Sequence, residues 1–361
     1  MTKSYEHLAK AFFNSPWFLT ERKLGQLQAF AQAKLAGAGT PWEGPSNPPL
    51  EVAYYALNGE RIAAAEGSGS SGGQVAVIPL YGVMMQRVGQ MEAMSGACST
   101  EAFKQAFRAQ MANPAVKTII LDVDSPGGSV YGTDELATEI REAAKRKAVI
   151  AVADSLMASA AYYVSSGASE IIASESSEVG SIGVLAVHYD FSRAADMEGV
   201  TPTLIKAGKF KAEGHPDFPL SDDARQHVQE DVDRYYTMFL HAVAAGRGVS
   251  ISSVRSGFGE GRVVGAQEAV RLGMADRVAT LDETIRRFAS GGRPSRRGAS
   301  AETVDGPVEA TTSVTVFNEI VILQPGDTLM AEFVPDEAAV ADEAARDADL
   351  IALDLDLAAA R

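Results

Sequence analysis

Residues 118–129 read TIILDVDSPGGS, and this stretch decides the fold. Ile119, Ile120, Leu121 and Val123 form a nearly continuous apolar run. Such a run suits a strand buried on both faces, as in a parallel sheet. Pro126, Gly127 and Gly128 then impose a tight turn at the strand's end, where backbone N–H groups are free to point into a cleft. Taken alone, PGG also fits an ordinary strand-to-helix turn.

The same kind of run recurs on both sides: VAVIPLYGVM at 75–84, AVIAVA at 148–153 and EIIAS at 170–174, with TPTLIKA at 201–207 expected as a further strand. Helical spacing separates them. Phe103, Phe107 and Met111 share one face before Pro114, and Leu136 and Ile140 share another in a helix opened by Thr133, Asp134 and Glu135. A long helix is expected after Ser221, with Val228, Val232, Tyr235, Phe239 and Val243 on one side and a stop near Gly246 and Gly248. Strands alternating with helices predict an α/β domain with a mainly parallel sheet.

The domain is expected over 74–288. Ahead of it, 1–73 reads as a leader with an early helical pattern, the Pro-rich GTPWEGPSNPP and the flexible linker GSGSSGG. Behind it, 289–361 reads as a linker, SGGRPSRRGAS, and an acidic tail with one strand-like stretch, SVTVFNEIVIL. Residues 301–361 carry 14 Asp and Glu against two Arg, so −12 of the chain's net −15 sits there. Acidity of this kind argues against nucleic-acid binding, which needs clustered Lys and Arg. One cysteine, Cys98, excludes an intramolecular disulfide framework and a multi-cysteine metal cluster, and it fits a reducing compartment. No uncharged apolar run reaches the ~18 residues of a membrane span, and the charged N-terminus does not read as a secretory signal, so a cytoplasmic location is expected.

The chemistry centres on ADSLMASAAYYVSSG, residues 153–167, which holds Ser155, Ser159, Ser165 and Ser166. A helix is expected from about Ala158. Ser159 at its start has free N–H groups and the helix dipole beside it, whereas Ser155 falls in the preceding loop and the other two lie in the helix body. A serine is a poor nucleophile until a base takes its proton. His188 and His215 are candidates, and so are Lys206, Lys209 and Lys211 in the loop IKAGKFKAEGHP, provided that desolvation keeps the lysine neutral. Asp122, Asp124 and Asp154 read as structural.

Together, DSPGGS, MASAAYYV, EVGSIGV and AGKFKAEGHP resemble the signal-peptide-peptidase-A family of serine peptidases, and within it the phage branch of capsid-assembly or head-maturation proteases. The resemblance covers roughly 75–288. It implies a Clp-protease/crotonase-like spiral of β-β-α units, no cofactor and no metal. It further implies Ser159 as nucleophile, Lys211 as base, Gly128 and Ala160 as oxyanion donors, and Ser181 as the residue orienting the lysine. Ala160 and Ala161 stand where the family motif has glycines, a change that keeps the side chains small. The implied partners are a polypeptide substrate, such as a capsid or scaffold protein, and further copies of the chain; the place of action is the host cytoplasm or procapsid. A soluble bacterial signal-peptide or quality-control peptidase is the nearest alternative. A crotonase-like acyl-CoA enzyme and an inactive structural subunit are more distant ones.

Overall fold

The β-rich runs become the centre of a twisted sheet in the computed structural model, which describes residues 16–20, 23, 50–62, 74–88, 97–197 and 199–295. In chain order the elements begin with β1 (Trp17–Leu19), β2 (Ala53–Tyr55), β3 (Arg61–Ile62), β4 (Gln74–Tyr81), β5 (Val83–Met85) and β6 (Ala97–Ser99). Next come α1 (Thr100–Ala112), β7 (Val116–Ser125), β8 (Gly127–Ser129), α2 (Thr133–Ala144), β9 (Ala148–Ala158), α3 (Ala160–Ser165), β10 (Glu170–Ala173) and β11 (Glu178–Gly180). The last are α4 (Ser192–Met197), α5 (Asp222–Arg247), α6 (Ile251–Gly257), β12 (Val263–Gly265), α7 (Ala266–Arg271), β13 (Arg277–Val278) and α8 (Leu281–Ala289).

The main sheet runs β12-β11-β9-β7-β4-β2-β3, with β10 pairing β9 and β13. Its centre is parallel: β4 with β7, β7 with β9, and β9 with both β10 and β11. Antiparallel pairing is confined to β2 with β3 and β4, and to β11 with β12. Ile119, Ile120, Leu121 and Val123 are fully enclosed, as a strand covered on both faces requires.

A second sheet of order β1-β8-β5-β6 stands beside it. The chain passes from the main sheet to the small one at Gly82, between β4 and β5, and at Pro126, between β7 and β8. Gly82 takes φ 78°, a left-handed conformation that glycine adopts at little cost. A helix follows each passage, so the chain is a succession of ββα units. Helix ends are well marked. Ser99 accepts the Ala102 N–H at 3.2 Å to cap α1, and Ser221 caps α5 in the same way, each worth about 1 kcal/mol. α5 ends at Gly248 in the left-handed conformation.

Four expectations change. β9 does not stop at Ala153 but runs on through Ser155 to Ala158, because its second half finds a new partner, pairing Leu156–Ala158 with β11. Ser155 is therefore in a strand, and the helix starts at Ala160. TPTLIKA is not a strand: the segment has no sheet partner, and Ile205 is 94% exposed. Trp17–Leu19, inside the leader read as helical, is a strand of the small sheet. β2 and β3 also lie ahead of Gln74 and pair onto β4, so segments of the leader contribute to both sheets. The strand-like stretch at 313–323 lies outside the described residues. No helix among the described residues is long and apolar enough to cross a membrane.

Candidate active site

Ser159 sits at the junction of β9 and α3. Its φ of 54° and ψ of −117° lie outside the regions that L-residues favour, a sharp strand-to-helix turn that costs of order 1–3 kcal/mol. The surroundings hold it there. Ser159 N–H donates to Gly180 C=O at 2.7 Å, and its own C=O accepts from Tyr163 N–H at 2.8 Å. The Ser159 hydroxyl is fully buried and has no hydrogen-bond partner among the described residues. A buried, unsatisfied hydroxyl on a strained backbone disfavours the fold twice over.

The PGG turn lies against this serine. Gly127 has φ 103°, and a Cβ built on it would stand 2.9 Å from Ser159 Cβ and 3.0 Å from Ala160 N. Any side chain here would displace the serine, so the close approach requires glycine. Gly127 N–H donates to Ser125 Oγ at 3.2 Å, and Ser125 Oγ donates to Gly82 C=O at 2.6 Å. Ser125 thereby ties the two chain passages together, a role no local sequence pattern announces. Gly128 packs its α-carbon on the Met84 backbone, where a Cβ would fall 1.9 Å from Met84 O. Ala160, as the first residue of α3, has an N–H with no intrahelical acceptor.

Ser181 follows Gly180 directly and takes φ 54°, with its N–H bonded to Arg262 C=O at 2.8 Å. The Gly180 carbonyl that holds Ser159 thus places Ser181 next to the site. The structure brings together Ser159, Ala160, the Gly127–Gly128 turn and Ser181.

It does not bring Lys211 to them. Lys211 is exposed in the turn-rich segment 207–214, and Ser159 Oγ has no hydrogen-bond partner among the described residues. Lys209 and Lys206 lie in the same exposed stretch, where Lys206 Nζ donates to Lys209 C=O at 3.2 Å. The histidine candidates do not reach the serine either. His215 accepts the Asp217 N–H at 3.3 Å, and both ring nitrogens of His188 are enclosed without a hydrogen bond. His188 lines a cavity of about 720 Å³ together with Leu185, Asp190, Leu220, Arg225 and Val232.

Other ionisable groups near the site behave as structure. The Tyr81 hydroxyl donates to Asp122 Oδ2, and burial, with Asp154 and Asp124 nearby, pushes the Asp122 carboxyl up to about 6 against the Tyr81 bond that lowers it. Burial and a hydrogen bond to Asp134 hold the Tyr163 phenol well above its ordinary value. Burial pushes the Cys98 thiol up to about 11, which removes it as a thiolate nucleophile.

Residues 141–292, from the end of α2 past α8, match Peptidase family S49. Capsid assembly protease C of Escherichia phage lambda is 30% identical over 339 residues, 91% of this chain and 76% of that protein. The chain belongs to peptidase family S49. It is a serine peptidase, and its relatives in the family include phage proteins. Head-tail preconnector protein GP5 of Enterobacteria phage P21 is 27% identical over 307 residues, 83% of this chain and 60% of that protein. Among solved structures, a membrane-bound stomatin-specific protease superposes with a TM-score of 0.38 at 13% identity, over 62% of this chain and 90% of that one.

Proposed function

We propose that this S49 peptidase is an endopeptidase whose nucleophile is Ser159 and whose base is Lys211, and that it processes phage capsid or scaffold proteins during head assembly. One observation carries the reading: the buried, unpartnered Ser159 hydroxyl on a strained turn, with the PGG backbone closed against it. Neutral Lys211 takes the Ser159 proton as Oγ attacks the substrate carbonyl. The N–H groups of Gly128 and Ala160 hold the oxyanion, which is where preorganised donors stabilise most. Protonated Lys211 then gives its proton to the leaving amine, and water hydrolyses the acyl-enzyme. Ser181, beside the serine through Gly180, orients the lysine.

For this step the 207–214 segment has to deliver the Lys211 ammonium into the buried site, either by closing over it or from a further copy of the chain. The capsid substrate is carried over from the names of the phage relatives, and the host cytoplasm or procapsid is the matching location. A peptidase domain that takes in β1 to β3 ahead of residue 74 and ends near 288, with an acidic tail that delivers the enzyme to the procapsid, belongs to the same proposal. Co-expression of a scaffold protein with Ser159→Ala, Lys211→Ala and Lys209→Ala tests the assignment. Cleavage is expected to vanish in the first two and persist in the third. Full activity in Lys211→Ala would overturn the dyad.

A further inference from the structure

The backbone beside Ser159 is not left open: a strand of the same chain lies along it. β1 pairs antiparallel with β8 in the register Trp17 to Ser129, Phe18 to Gly128 and Leu19 to Gly127. On its other edge, Trp17 N–H donates to Leu185 C=O at 2.9 Å and Leu185 N–H donates back to Trp17 C=O at 3.1 Å. Three residues are thus paired with β8 and the first of them is bridged on the other edge as well, much as an extended peptide is added to a sheet edge.

The direction and register of β1 are informative. Running antiparallel to β8, its C-terminal end arrives at the PGG turn, where Thr20 N–H donates to Pro126 C=O at 3.1 Å. Bonded and non-bonded pairs alternate along an antiparallel ladder. With Thr20 bonded to Pro126, the next bonded pair is Phe18 with Gly128, which faces the Phe18 carbonyl to the Gly128 N–H. The close contacts of Gly127 agree: a Cβ there would lie 2.2 Å from Phe18 O, 2.9 Å from Ser159 Cβ and 3.0 Å from Ala160 N. A peptide carbonyl, the serine and the second oxyanion donor therefore converge on one point.

The side chains alternate as in any strand. Phe18 enters an aromatic pocket, with ring centroids 5.1 Å from Phe239, 5.4 Å from Tyr163 and 6.3 Å from Tyr235. Trp17 and Leu19 pack on the opposite side with Val83 and Leu185. All three residues of β1 are buried.

We infer that Trp17–Leu19 occupies the groove in which a polypeptide substrate binds, with the Phe18 carbonyl at the position of attack. The chain is then its own occupant, and a substrate must displace β1 to reach Ser159. The occupant also reports the substrate class: an extended polypeptide with an aromatic residue supplying the attacked carbonyl and a bulky apolar residue before it. This rests on Ser159 being the nucleophile.

The test uses the full chain carrying Trp17→Cys and Ser129→Cys. These residues face each other in a non-bonded pair, whose short Cα separation suits a disulfide. Oxidation locks β1 onto β8 and reduction frees it within one folded protein. Labelling of Ser159 by an acylating β-lactone probe is expected to slow at least about tenfold on oxidation and to recover on reduction, because the tethered strand competes at high effective concentration. The reduced protein is expected to hydrolyse an acetyl-Trp-Phe coumarin amide roughly 10- to 100-fold faster than the Trp-Gly analogue, the discrimination that burial of one aromatic side chain supports. Failure of the disulfide to form, equal labelling in both states, or no preference for Phe over Gly would each overturn the inference while leaving Ser159 in place as nucleophile. Absence of Ser159 labelling in both states would remove the nucleophile assignment and this inference with it.

Discussion

The two sides of the proposed dyad are built differently. Around Ser159 everything is packed: α3 is wholly buried, Tyr162 donates to Met274 C=O at 3.1 Å, and Gly180 and Gly127 press on the serine from two directions. The segment that carries Lys211 is open, with Leu204, Ile205, Lys211 and Phe210 all exposed and few cross-chain bonds. Packing holds Ser159 in a strained geometry. Nothing comparable holds Lys211, so the proposed dyad requires an event that covers the 207–214 segment.

The largest effect expected from this difference is at the serine. Ser159→Ala should lower peptide hydrolysis by at least about 1000-fold without loss of the folded state, measured by turnover alongside thermal melting. Lys211→Ala should cost about 100-fold or more, because a general base contributes on that scale, and should leave the melting temperature unchanged because the side chain is exposed. A fall in stability for Lys211→Ala would break the contrast between a packed and an open side.

Glycine substitutions sharpen the contrast. Gly127→Ala puts a Cβ 2.2 Å from Phe18 O at a positive φ, and about 3 kcal/mol or more of destabilisation is expected in denaturant unfolding. Gly214→Ala on the open side also has positive φ but meets nothing within 4 Å, so about 1 kcal/mol is expected. Equal costs would remove the distinction.

Asp122 gives a pH signature to the packed side. Its carboxyl is raised to about 6 in the fold, so the folded protein holds this proton more tightly than the unfolded chain does. The stabilisation is complete below the ordinary carboxylate range and is lost as pH rises through about 6. The stability advantage of Asp122→Asn over the native protein should therefore grow by about 2–3 kcal/mol between pH 4 and pH 8, read from unfolding curves at each pH. In stability the smallest effect is at the strained turn: Ser159→Gly should stabilise by about 1 kcal/mol, read from unfolding curves, since it relieves the backbone and removes an unpaired hydroxyl.

Much of this was legible in the residues. The continuous apolar runs at 118–123 and 148–153 marked strands covered on both faces, because only such strands tolerate no alternation. Position put Ser159 ahead of the other three serines, at a helix start where the structure has it, whereas the Gly-rich turn at 126–128 fitted an ordinary strand-to-helix turn as well as the close backbone approach found there. TPTLIKA misled because β-branched and apolar residues make a strand only where a neighbour offers hydrogen bonds, and here none does. Lys211 stood out through resemblance to a family motif, since local chemistry treats Lys206, Lys209 and Lys211 alike.

What the amino-acid sequence determined by itself is the alternation of buried strands with helices and the position of Ser159 at the start of one of those helices, both set by local periodicity and capping chemistry. Tertiary structure alone decided that β9 changes partner to carry Ser159 onto Gly180, that Ser125 ties the turn to Gly82, and that Trp17–Leu19 lies in the groove beside the serine. A three-residue strand such as β1 has no periodicity to read. Its conformation comes from hydrogen bonds to β8 and Leu185, far along the chain, and from a pocket that exists only once α3 and α5 have packed.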